Sequence, residues 1–146
     1  MHRSARFAGA ALIVALASAG SFVVAEAAPV GFSVHIEAHT DFASVPNLFE
    51  SNLDGCETGT VADGGGGAHF TPWGGAFTGL KVFTCDDGES GFTVRLLARF
   101  SGGGSEGSWT LADAWGDLAG LKGSGSLVGI PVSDTAIDDV YTGRLR

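Results

Sequence analysis

Phe92-Thr93-Val94-Arg95-Leu96-Leu97-Ala98-Arg99-Phe100 is the stretch on which the fold turns. Phe92, Val94, Leu96, Ala98 and Phe100 alternate with Thr93, Arg95, Leu97 and Arg99, the two-residue period of a strand with one strongly apolar face. Turn-forming residues bracket it: Asp86-Asp87-Gly88-Glu89-Ser90-Gly91 before, and Ser101-Gly102-Gly103-Gly104-Ser105-Glu106-Gly107 after. Working outward, Phe77 to Cys85 reads as the preceding strand and Ser108-Trp109-Thr110-Leu111 as the following one. Phe32 to Thr40, Ser126 to Ile130 and Val140 to Leu145 carry strand character further out. Pro46 to Asn52 is the one segment expected to form a short helical turn, and Gly64 to Gly67 is expected to be a flexible loop. Strands at this spacing, joined by glycine-rich turns, predict an all-β protein: an antiparallel meander of seven or eight strands. Closing that meander into a small β-barrel removes edges that would otherwise pair between molecules; a β-sandwich is the second architecture.

The composition narrows the function classes. The chain has 146 residues, 24 of them Gly, with a formal net charge of −8. Sixteen acids against eight bases exclude a nucleic-acid partner, which needs clustered cations to neutralise phosphates. Met1 to Arg6 is basic, Phe7 to Val24 is apolar, and Ala25-Glu26-Ala27 places small residues at a cleavage site. This order reads as a secretory signal peptide over residues 1–27, leaving a single domain over 28–146 with no second membrane-length apolar run. Without Arg3, Arg6 and Glu26, fifteen acids stand against six bases, so the exported domain is more acidic than its precursor. Cys56 and Cys85 are the only cysteines, and in an oxidising compartment they read as one disulfide. Acids beside both (Asp54, Glu57, Asp86, Asp87) disfavour a reactive thiolate.

Gly107-Ser108-Trp109-Thr110, followed by Gly116-Asp117-Leu118-Ala119-Gly120-Leu121-Lys122-Gly123-Ser124-Gly125, resembles a segment shared by plant allene oxide cyclases and dirigent proteins. The nearer resemblance is to small secreted actinobacterial proteins of the same allene oxide cyclase-like β-barrel, whose function is not established. It covers residues 59–146 and includes the turn at Cys85-Asp86-Asp87-Gly88 and the closing Asp139-Val140-Tyr141-Thr142-Gly143. The resemblance implies a barrel. Within that family the cyclases hold a reactive fatty-acid epoxide in the lumen and dirigent proteins orient phenoxy radicals, but neither set of functional residues maps onto this chain. The motif reads as folding chemistry: Gly116, Gly120, Gly123 and Gly125 for positive-φ turns or close backbone approach, and Leu118 and Leu121 as a plug for one barrel end.

Four patterns carry possible chemistry. Gly103-Gly104-Ser105-Glu106-Gly107 matches a nucleophile elbow, yet no helix is expected after Ser105 and no histidine follows His69. Gly102-x-Gly104-x-x-Gly107 matches a dinucleotide fingerprint with the same missing helix. His35, Glu37 and His39 share one face of a strand, which His69 could approach. They are weak metal ligands, since the alternation puts Val34, Ile36 and Ala38 on the buried face; no metal or other cofactor is assigned. Trp73, Trp109 and Trp115 are candidates for lining a ligand pocket. The sequence therefore supports a secreted barrel that binds a small apolar ligand or serves as an envelope interaction module, with no membrane partner once the leader is removed. The alternative is a cyclase or isomerase whose lumen shapes a small lipophilic substrate. Oligomeric state is outside what the sequence specifies.

Overall fold

The computed structural model describes residues 30–146, so the leader expected over 1–27 lies outside the described residues. These residues form eight antiparallel strands in sequential order, closed into a barrel by pairing of the first strand with the last. The strands are β1 (Phe32–Asp41), β2 (Asn47–Ser51), β3 (Thr58–Thr71), β4 (Gly74–Cys85), β5 (Gly91–Ser101), β6 (Gly104–Trp115), β7 (Gly123–Pro131) and β8 (Ala136–Leu145). Among the described residues no helix is long and apolar enough to cross a membrane.

Alternation decides which face each strand turns inward. In β5, Phe92, Val94, Leu96 and Ala98 are buried while Arg95, Leu97 and Arg99 face out. In β1, Val34, Ile36, Ala38 and Thr40 are buried between exposed His35, Glu37 and His39. The helical turn expected over Pro46 to Asn52 is instead strand β2, paired with both β1 and β3. Phe49 explains the difference. It is buried, and its ring packs edge-on against Phe83 at 5.2 Å between centroids, so tertiary contact overrides local preference. Gly64 to Gly67, expected as a loop, lies inside β3, where the pairing with β4 shifts register between Asp63 and Gly66. Gly65 and Gly66 have φ of 102° and 154°, so glycine supplies the backbone of this bulge.

The two barrel ends differ. One end, here the closed end, carries the connections at residues 52–57, 86–90 and 116–122. Phe49, Phe83, Phe92, Trp109 and Tyr141 fill the lumen above it, with Phe83 and Phe92 stacked at 4.7 Å. Leu118 of the short 3-10 turn at Gly116–Leu118 caps this end, and Leu121 packs partly against the core. Cys56 and Cys85 form a disulfide here, joining the β2–β3 connection to the end of β4. The glycine motif divides by role. Gly116 and Gly120 have positive φ, whereas Gly123 and Gly125 lie so close to the backbone of β8 that a Cβ would collide with it. Gly143 likewise leaves room for the Trp109 ring, whose indole N–H donates to the carbonyls of Ser126 and Thr142.

Candidate functional site

The other end, here the mouth, carries the connections at 42–46, 72–73, 102–103 and 132–135. Inward positions near it are small: Ala68 on β3, Gly79 on β4, Ala98 on β5, Ser105 on β6 and Gly129 on β7. Where the closed half of the lumen holds stacked rings, these residues leave space. The result is a cavity of about 480 Å³. Its walls are largely apolar, with Phe70, Phe77 and Phe100 on β3, β4 and β5, Leu96 and Leu127 deeper, and Phe42 and Ile137 on the β1–β8 side. A larger open groove of about 930 Å³ lies at the closed end, beyond the point where the β6–β7 pairing stops at Thr110 and Ser124, and is lined by Leu111, Leu121 and Arg144. It has no converging set of buried polar groups, and the mouth cavity does.

Four polar side chains enter the mouth cavity: Asp63, Lys81, Ser105 and Asp139. Lys81 occupies an inward position of β4 between Gly79 and Phe83 and is buried, with its ammonium 2.7 Å from the exposed carboxylate of Asp63. Asp139 occupies an inward position of β8 between Ile137 and Tyr141 and is only 7% exposed. Register aligns it with Ser105, because Ser105 pairs with Gly129 and Gly129 pairs with Asp139. A Cβ at Gly129 would meet both Ser105 Oγ and Asp139 Oδ1, so glycine lets these two groups approach across the strand between them.

The electrostatics follow from burial. Loss of solvent pushes the Asp139 carboxyl up to about 6, opposed by the positive charge of Lys81 and reinforced by Asp63 and Asp138. Tyr141, one inward position deeper, has its phenol raised well above the ordinary value, first by burial and then by Asp139 and Asp63. The Tyr141 hydroxyl and the Thr40 hydroxyl are buried without hydrogen-bond partners among the described residues. A carboxyl that changes charge near neutrality, a desolvated ammonium and the Ser105 hydroxyl under aromatic walls form a site able to orient a polar group on an apolar ligand. It also has a group able to give or take a proton near neutral pH.

The residues singled out from sequence lie elsewhere. Trp109 is core, Trp73 is 89% exposed at the tip between β3 and β4, and Trp115 lies over Gly91 at the closed end. None of the three lines the mouth cavity. His35, Glu37 and His39 face outward on β1; His35 bonds Glu37 at 2.9 Å and His39 bonds Asp138 at 2.6 Å. His69 is exposed on β3. No group of three or more His, Cys, Asp or Glu side chains among the described residues is placed to hold a metal. Ser105 is the second residue of β6, so strand and not helix follows it and the local geometry of a nucleophile elbow is missing.

Lys81, Asp63 and Asp139 escaped the sequence reading, yet two of them left a trace. Phe77, Lys81, Phe83 and Cys85 share one strand parity, as do Ile137, Asp139 and Tyr141, so a charge stands at an apolar position in each. A parity violation is the sequence signature of a buried charge. Asp63 left none, because the bulge after it breaks the period of β3. Comparison of the chain with family models, with curated proteins and with solved structures finds no match.

Proposed function

We propose that this protein is an exported barrel that binds a small, largely apolar ligand in the mouth half of its lumen. One observation carries the reading: the lumen is filled by aromatic side chains at one end and hollow at the other, with an aromatic-walled cavity of about 480 Å³ above the Lys81 and Asp139 level. A barrel needing only stability would fill both halves, since buried voids and unpaired buried charges each cost free energy. Export is supported by the leader-like order of residues 1–27 and by the Cys56–Cys85 disulfide. The resemblance to allene oxide cyclase-like barrels agrees with a lumenal ligand and is part of the same proposal.

Native mass spectrometry of the protein recovered from its secreting host tests this reading. Retention of a stoichiometric small-molecule adduct, lost when the cavity is filled by Ala98→Phe, is the expected result. A bare mass, together with no uptake from a panel of small apolar compounds, would overturn it.

The second reading, a cyclase or isomerase, has one observation of its own. Asp139 is a carboxyl raised to about 6 inside an apolar lumen, the environment that lets an acid hold a proton for transfer near neutrality. Binding is preferred because Lys81 and Asp63 engage each other and burial holds the neighbouring Tyr141 phenol protonated.

A further inference from the structure

We propose that the mouth cavity selects a cationic amphiphile, a small primary amine whose apolar body lies among Phe70, Phe77 and Phe100 and whose ammonium pairs with Asp139. This rests on the ligand-binding reading above and adds the charge of the ligand.

The charge balance of the site carries the inference. Two carboxylates and one ammonium enter the cavity, and the ammonium of Lys81 is already engaged by Asp63 at 2.7 Å. Asp139 makes no ion pair among the described residues, although it is more than nine-tenths buried. The elements around it bring no spare cation. Its ladder neighbours are Ala38 on β1 and Gly129 on β7, β6 contributes the Ser105 hydroxyl, and its own strand contributes the Tyr141 phenol. Lys81 on β4 is the one positive charge acting on Asp139, while Asp63 on β3 and Asp138 on β8 add negative potential. Asp138 itself bonds His39 on the outer wall.

A ligand ammonium supplies the missing counter-charge beside a buried carboxylate, and the apolar body attached to it lies against the phenylalanine side chains of the wall. A ligand carboxylate meets the opposite situation. It must displace Asp63 from Lys81 and lie beside a second carboxylate. Because burial raises Asp139 to about 6, an ammonium competes there with a proton. Amine affinity therefore rises by about tenfold from pH 5 to pH 7, a range in which a primary amine keeps its own charge.

Isothermal titration with three matched probes, 4-phenylbutylamine, 4-phenylbutanol and 4-phenylbutyrate, tests the inference between pH 5 and 7. The amine should bind about tenfold more tightly than the alcohol at pH 7, with the advantage largely gone at pH 5. In Asp139→Asn the amine-to-alcohol ratio should fall toward one. Asp63→Asn, at an exposed side chain that does not support the core, should free Lys81 and raise butyrate affinity several-fold. Alcohol uptake with no amine preference, or an amine preference that survives Asp139→Asn, would overturn the inference and leave the binding site itself standing. Failure of all three probes to bind would overturn both.

Discussion

Asp139→Asn should stabilise the barrel at neutral pH, and the size of the gain follows from the carboxyl's surroundings. In the unfolded chain this group titrates at the ordinary carboxylate value of 3.8, and in the folded barrel at about 6. Below pH 3.8 both states hold the proton and the residue is neutral to stability. Between 3.8 and about 6 the native state binds more protons than the unfolded one, so stability falls as pH rises. Above about 6 the full cost is present, about 3 kcal/mol at roughly 1.4 kcal/mol per tenfold change in proton affinity. Asparagine keeps the shape and carries no charge to desolvate, so the variant should recover most of that amount at pH 7.5 and almost none at pH 4. Denaturant unfolding of both proteins across this range measures the difference. The charges at Asp41 and Asp87 are held low by backbone N–H donors from Ala43 and Ser90, so they titrate below the window and cancel between the two proteins. Identical pH slopes for wild type and variant would refute the claim that Asp139 is a buried, destabilising carboxyl.

Other perturbations have equally definite outcomes. Lys81→Met removes the one charge that lowers the Asp139 carboxyl, so its midpoint, followed by carboxyl carbon shifts in NMR, should move upward from about 6. Reducing the disulfide, which closes a loop across a separation of 29 residues, should cost roughly 3–4 kcal/mol and lower the melting temperature; an unchanged melt would deny the bond a structural role. Phe83→Ala removes a fully buried ring that packs against Phe49, Phe92 and Tyr141, and should cost about 3–5 kcal/mol in the same unfolding assay.

Much of the fold was legible because strand period and burial coincide. Phe92, Val94, Leu96 and Ala98 share a parity and a buried face, and the turn before β5 falls on the expected Asp86 to Ser90 cluster. The turn after it is only Gly102-Gly103, with Gly104 to Gly107 of the expected turn paired instead as the start of β6. The exceptions have physical causes. β2 is short and flanked by proline, so its strand character comes from Phe49 inserting into the aromatic core. The glycine run in β3 reads as a loop because nothing in a linear pattern distinguishes a flexible glycine from one that supplies a bulge. The candidate site was less legible still. Aromatic residues were the natural pocket markers, but tryptophans went to the core, a loop tip and the closed end, while phenylalanines wall the cavity. A cavity is made by small residues opposite one another on different strands, and that juxtaposition depends on barrel register. Ser105, Gly129 and Asp139 are far apart in the chain and adjacent on the sheet.

The central claim is that the mouth half of the lumen is a ligand site and the closed half is solid core. Methyl-resolved NMR during titration with 4-phenylbutanol tests it most directly. The account predicts saturable shifts at Ala68, Leu96, Ala98, Leu127 and Ile137, with Val34 and Leu118 unchanged. An absence of saturable shifts, or shifts confined to the closed-end groove at Leu111 and Leu121, would contradict it.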